Sequence, residues 1–204
     1  MYLTDSKKVE DWQAIRADAL NNHDELFWRK VYSDFFWGRI NSRYLTPIES
    51  ISNNGSYLGE GFSIVAIQCS LIEFLESTFK GEIYRLVNKP TELKKYEYSG
   101  SKKCFLSFLE NRAPFNAIFD NKKANEFYSS IRCGILHEAT TKNGWRIWGK
   151  SDSGKEIICF ESKKIYRDDL QYALKDYMKS YADQLVADVE LQKAFIRKFD
   201  ALCE

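Results

Sequence analysis

Residues 61–81 read GFSIVAIQCSLIEFLESTFKG, and this stretch decides the fold class. Wound at 3.6 residues per turn, its apolar side chains cover most of the circumference. That marks a helix buried on several sides rather than one lying on a surface. Gln68, Ser70 and Glu73 interrupt the apolar run between Phe62 and Leu75, which makes that run too short and too polar to cross a bilayer. Gly81 is placed to close the helix. A helix of this kind needs neighbours on several sides, and the sequence on either side supplies helical patterns to provide them.

Upstream, residues 6–22 set Val9, Trp12, Ile15, Ala19 and Leu20 at helical spacing among charged residues and read as a surface helix. A second helix is expected from residue 24 to about 44, along Phe27, Val31, Phe35 and Ile40, with Pro47 as its stop. Residues 50–60, SISNNGSYLGE, carry turn chemistry. Downstream, residues 82–100 read as an irregular excursion and residues 101–111 as a helix ending before Pro114. Residues 121 to about 139 form the next strong helix, with Ala124, Phe127, Tyr128, Ile131 and Ile135 within one arc of about 100°. The period then changes. Residues 145–148 and 156–160 flank SDSGK, which predicts a β-hairpin inserted at about 144–161. Helical pattern returns over about 167–203, through Leu170, Leu174, Tyr177, Tyr181 and Leu185 and then Leu191, Phe195, Phe199 and Leu202. The expected fold is all-α, a helical bundle with extra helices and one small β-hairpin.

Composition narrows the function. At 204 residues, 44% hydrophobic and 29% charged, the chain can bury about 70% of its extended surface, and disorder, collagen and a disulfide scaffold are excluded. One domain spanning 1–204 is expected, and the length also allows two small ones. Thirty Lys+Arg against twenty-nine Asp+Glu leave a net charge of +1, so any nucleic-acid site is local rather than a general basic surface. Cys69, Cys104, Cys133, Cys159 and Cys203 show no CxxC spacing, and His23 and His137 are the only histidines, so neither a metal nor another cofactor is expected. Free thiols suit a reducing compartment. The opening MYLTDSKKVEDW lacks the apolar run of a secretion signal, and a cytoplasmic, membrane-free protein is expected.

Within the helix near residue 130 the segment FYSSIRCGILHEA, residues 127–139, carries Arg132 and, after four residues, His137. His23, in NNHDE, reads as a plain surface residue, whereas His137 lies in a last helical turn where a cation is favoured by the helix dipole. The arrangement resembles the signature of the HEPN superfamily of small helical domains, an arginine followed after four to six residues by a histidine on a late helix of the bundle. The helix of residues 61–81 and the closing helices look like the bundle of that family. The resemblance implies a metal-independent endoribonuclease of toxin–antitoxin, abortive-infection or CRISPR-linked defence systems, typically dimeric with the motif at the interface. It equally implies relatives that bind nucleotides or have lost activity. Where active members often carry a polar residue after the arginine, this chain has Cys133.

The residues support a parallel argument. Five residues advance a helix by about 500°, so Arg132 and His137 point about 140° apart and do not form one compact site within a single helix. A two-fold homodimer through this helix lets both residues of both chains line one cleft, with Gly134 permitting close approach. RNA brings its own nucleophile, the 2′-hydroxyl. A neutral imidazole with a pKa near about 6.5 can take its proton, and a guanidinium suits the phosphoryl oxygens. His137 is then the base and Arg132 the charge stabiliser, with 2′,3′-cyclic phosphate and 5′-hydroxyl products.

Supporting candidates are Glu73, which can orient the motif or be a solvated residue, Glu138, which can pair with Arg132 of a second copy or cap the helix, Ser130 as a hydrogen-bonding group, and Cys133. Lys122 and Lys123, with the doublets 102–103 and 163–164, are candidate phosphate contacts if the fold gathers them, and solvated surface if it does not. Trp145 and Trp148 offer base stacking or simple packing. The expected partners are therefore RNA as substrate, a second copy of the chain, and an antitoxin or other defence protein. The competing reading is a non-catalytic dimer that binds nucleotide, RNA or protein, and a third is a purely structural bundle.

Overall fold

In the computed structural model, which describes residues 1–55 and 58–204, the deciding stretch forms one helix, Glu60–Lys80. Ile64, Val65, Leu71, Ile72 and Leu75 are buried on it, together with polar Gln68, Glu76, Ser77 and Thr78, so it is covered on several sides, with Phe62, Ser63 and Ser70 left exposed. Gly81 ends it at φ +65°, a conformation that favours glycine, and an added Cβ would stand 2.6 Å from the Ala194 carbonyl oxygen. At its full 21 residues the helix does meet the length and hydropathy of a membrane span, which the shorter count over residues 62–75 did not anticipate. Most of its large apolar side chains are instead packed inside the protein, with Phe62 left exposed.

The chain divides into two compact units, of which one comprises Met1–Thr46, Phe74–Ser101 and Ser180–Glu204 and the other Pro47–Glu73 and Lys102–Lys179. Two of the four divisions fall inside the 21-residue helices Glu60–Lys80 and Arg167–Ala187, and the other two follow Thr46 and Ser101.

The first unit is built on aromatic packing. Phe195 and Phe199, one turn apart on the helix Val189–Ala201, stack at 4.3 Å between ring centroids, and Trp12 sits edge-on to Phe35 at 5.3 Å. Trp12 belongs to the helix Val9–Ala19, shorter than the pattern over 6–22. Its start is fixed where the Asp11 carboxylate accepts from the Lys8 backbone N–H at 2.7 Å. Asp24 caps the next helix by accepting from Phe27 N–H, and Asp188 caps Val189–Ala201 by accepting from the N–H groups of Glu190 and Leu191. Residues 82–100 form the expected excursion, pinned by a short parallel pair, Ile83–Tyr84 with Glu97–Tyr98.

Two expectations fail between residues 24 and 60. Pro47 does not stop the second helix: helical backbone continues from Glu25–Val31 through wide π turns at Tyr32–Trp37 and Asn41–Leu45 into Thr46–Asn54. The wide turn just before Pro47 already opens the hydrogen-bond ladder, so the ring and the missing N–H are accommodated. The turn chemistry of residues 50–60 is correspondingly displaced, since residues 50–54 are helical. The part of that expectation on Ser56 and Tyr57 lies outside the described residues.

In the second unit the helix Ser101–Asn111 buries Cys104, Phe105, Leu106, Phe108 and Leu109. Residues 121–138 follow as Asn121–Phe127, a wide turn Tyr128–Arg132 and Cys133–Glu138, closed by Ala139 in the left-handed region. The hairpin is present with different arms. Ile158–Cys159 pairs antiparallel with Lys164–Tyr166, whereas Arg146–Trp148 runs parallel to Lys164–Tyr166 on its other edge. SDSGK is not the hairpin turn because it is tied down locally. Ser151 donates its backbone N–H to Asp169 Oδ2 at 2.7 Å and accepts at its carbonyl from Gly154 N–H.

Candidate functional site

Every candidate residue named from the sequence lies in the second unit. Glu73 and Arg132 come together there. Arg132 Nη2 stands 3.8 Å from Glu73 Oε2, and the side chains are only 16% and 22% exposed. That separation gives Coulomb attraction without a tight hydrogen bond. The guanidinium also lies over the Tyr128 ring, 5.2 Å from its centroid, and Lys102 Nζ lies 6.0 Å from the same ring. Tyr128 precedes Arg132 by four residues, the spacing at which helical side chains meet.

The wide turn at Tyr128–Arg132 sets this geometry. Underwinding there slides the buried stripe, which runs through Ala124, Phe127, Ser130, Ile131, Gly134 and Ile135. Tyr128, placed in the core arc by a regular wheel, is left half-buried beside Arg132.

Cys69, one turn before Glu73, is buried, and burial pushes its thiol up to about 12, with Arg132 opposing the rise and Cys133 adding to it. All five cysteines are free thiols. Among the described residues, no three His, Cys, Asp or Glu side chains gather as a metal-ligand set.

His137 occupies the last turn, exposed, and its imidazole makes no hydrogen bond or ion pair among the described residues. Within the chain Arg132 turns inward to Glu73 while His137 faces solvent. Glu138 is exposed and pairs with Lys142 at 3.5 Å, in the loop that follows the helix. Ser130 is buried, and its hydroxyl accepts from Asn143 Nδ2 at 2.9 Å while its carbonyl accepts from Lys142 N–H at 2.8 Å. It therefore anchors the loop that follows the helix. Gly134 corrects an expectation, because the close approach it permits is made by its own chain. An added Cβ would stand 2.5 Å from the Thr140 carbonyl oxygen and 3.3 Å from Lys142 Cγ.

Lys122 is exposed, and Lys123 lies over the Phe160 ring at 5.4 Å. The two tryptophans divide. Trp145 is buried and donates its indole N–H to Glu126 Oε1 at 3.1 Å, whereas Trp148 is 47% exposed with Lys164 Nζ 4.0 Å from its ring centroid. His23, in the first unit, holds Gln192 Oε1 at 2.9 Å through Nδ1.

Sequence reasoning passed over the role of Tyr128 beside Arg132 and the hydrogen bond between buried Gln68 and half-buried Gln171. The i, i+4 spacing was a readable signal for the tyrosine. A glutamine inside the most apolar helix was the signal for the amide. Comparison with protein-family models, with curated proteins and with solved structures finds no match to this chain.

Proposed function

We propose that the chain is a HEPN-like, metal-independent endoribonuclease that works as a cytoplasmic homodimer, in a toxin–antitoxin or phage-defence setting. One observation carries the reading: a single helix end presents a guanidinium held by Glu73 and Tyr128 and, five residues on, an imidazole open to solvent. A cation fixed in advance stabilises charge without reorganising, and an open base can reach a substrate hydroxyl. Because the two side chains diverge on one helix, the active cleft requires a second copy, docked through the exposed end formed by Leu136, His137 and Glu138. His137 then takes the proton of the 2′-hydroxyl and the 2′-oxygen bonds to phosphorus. The bond to the 5′-oxygen breaks and that oxygen takes a proton from water as it leaves, the imidazolium later returning its proton to solvent, while Arg132 balances the charge on the phosphoryl oxygens.

A second reading, a dimer that binds nucleotide, RNA or protein without turnover, is favoured by the Glu73 pair itself, which neutralises part of the Arg132 charge inside the chain. Incubation of the purified protein with mixed RNA in EDTA separates the two. Cleavage to 2′,3′-cyclic phosphate and 5′-hydroxyl ends, lowered about 10²–10⁴-fold in His137→Ala, is the expected result. No cleavage by the wild type, or equal cleavage by His137→Ala, overturns the enzymatic reading, and RNA retention without cleavage selects the second.

A further inference from the structure

Arg39 and Arg43 lie four residues apart in the first unit, where the helical turn Gly38–Ile40 opens into the wide turn Asn41–Leu45. Their side chains share a face, because they reach consecutive carbonyls. Arg39 Nη1 donates to the Leu3 carbonyl at 2.7 Å, and Arg43 Nη2 donates to the Tyr2 carbonyl at 3.0 Å. A guanidinium carries five N–H donors, so most of that capacity is left over. The other nitrogens of Arg39 make no hydrogen bond among the described residues and are not sealed inside the protein, so they are open to solvent. Arg43 is exposed.

Neither arginine makes an ion pair among the described residues. By contrast Arg16, Arg29, Arg85, Arg132 and Arg167 each stand within 3.8 Å of a carboxylate. Asp200, which has Cys203 as a neighbour in common with Arg39, is already taken by Arg16 at 2.8 Å. Arg39 is half-buried, with Cζ 5.7 Å from the centre of the Phe74 ring, and Tyr44 stacks on the same ring at 6.3 Å. Burial and the adjacent Arg43 lower the Arg39 guanidinium to about 10, which leaves it charged at neutral pH. Two positive charges therefore stand side by side without a counter-charge from the chain. A partly buried charge without a partner is costly, and an anion bound there removes the cost.

The number of charges selects the anion. A carboxylate or a phosphodiester carries one negative charge and leaves one guanidinium uncompensated. A phosphate monoester carries about 1.5 to 2 negative charges at pH 7 and presents three acceptor oxygens, which suits two guanidinium forks. We propose that Arg39 and Arg43 form a binding site for a phosphate monoester group. The Tyr2 and Leu3 carbonyls hold both forks in place before the anion arrives, so binding orders little that is not already ordered. The site does not involve Arg132 or His137, and its occupancy is read without any cleavage.

The experiment is titration of the full-length protein at low salt, by calorimetry and ligand-observed NMR. The probes are inorganic phosphate, adenosine 5′-monophosphate, adenosine, and a short single-stranded RNA with either a 5′-phosphate or a 5′-hydroxyl end. The RNA arms use His137→Ala, so that cleavage does not alter the probe. At least one monoester is expected to bind with a Kd under about 1 mM, and adenosine is expected not to bind. Arg43→Gln, at an exposed position, is expected to weaken binding about tenfold or more, the loss of one charge-assisted hydrogen bond. Arg39→Gln is expected to do the same, and Arg43→Gln carries the test alone where a thermal melt shows that Arg39→Gln alters the fold. Binding of adenosine 5′-monophosphate or inorganic phosphate assigns the group to a free small molecule, and binding of the 5′-phosphorylated RNA alone assigns it to a strand end. Three results overturn the proposal: no binding by any monoester, binding indifferent to Arg43→Gln, or a 5′-hydroxyl RNA that binds as tightly and responds equally to Arg43→Gln.

Discussion

Arg132 Nη2 lies 3.8 Å from Glu73 Oε2, with both side chains largely shielded from water. The pair joins the helix Glu60–Lys80 to the wide turn at Tyr128–Arg132, so the motif arginine is positioned from a helix about sixty residues earlier in the chain. An exposed ion pair contributes at most about 1 kcal/mol, whereas removing one partner of a fully buried pair costs about 3–5 kcal/mol. This pair falls between. A double-mutant cycle of Glu73→Gln and Arg132→Gln, followed by urea denaturation, is expected to give a coupling energy of about 1 kcal/mol. A coupling near zero means that Glu73 does not hold the arginine.

Gly134 offers a test whose sign is decisive. Helix propensity alone makes Gly→Ala stabilising by about 1 kcal/mol. The Thr140 carbonyl, 2.5 Å from where a Cβ would sit, reverses that. Gly134→Ala is expected to destabilise by about 1–2 kcal/mol, the upper part of the about 1–3 kcal/mol cost of forcing an extra carbon into a packed site less the helix gain. A gain in stability on chemical denaturation refutes the close approach.

The five thiols should separate by reactivity. Cys69 and Cys104 are buried, and burial holds the Cys69 thiol up at about 12, so it stays protonated at neutral pH. Cys133, Cys159 and Cys203 are partly exposed. Brief alkylation of the folded protein at pH 7.5, a condition chosen to leave roughly a tenth of an ordinary thiol ionised, should label Cys133 and Cys159 first and Cys203 more slowly, because burial and Asp200 raise the Cys203 thiol. Cys69 and Cys104 should be labelled only after unfolding. Peptide mass spectrometry reads the pattern, and early labelling of Cys69 contradicts its burial.

Burial holds the Asp168 carboxyl above its ordinary range, with Arg167 opposing the shift. A carboxyl raised in the folded state contributes its stability fully below the unfolded pKa and loses it as pH rises through the folded one. Asp168→Asn, which cannot ionise, is therefore expected to melt about 2 °C higher than wild type at pH 7. The gain should disappear below about pH 3, where the aspartate is protonated in both folded and unfolded states. Thermal melts across that interval check it, and a gain constant with pH points to another cause.

The helical frame was legible because burial periodicity is a local property. The all-round apolar pattern of residues 61–81, the arc through Phe127, Ile131 and Ile135, and the helical pattern over about 167–203 each become helices near their expected places. The wide turns were not legible. Their effect is to accommodate Pro47 and to move Tyr128 to the side of Arg132, and a fixed 100° wheel contains neither outcome. Strand pairing was equally hidden, since SDSGK looks like a hairpin turn until Asp169 is seen to hold Ser151.

The amino-acid order alone settled the helical class and the positions of Arg132 and His137 on one helix, because both follow from neighbours within a few turns. Contacts across the chain settled the rest: Glu73 takes Arg132, Thr140 closes on Gly134, and Gln68 and Gln171 meet beside Ile64. Those partners lie from six to over a hundred residues apart, and only burial of the intervening apolar faces brings them within reach.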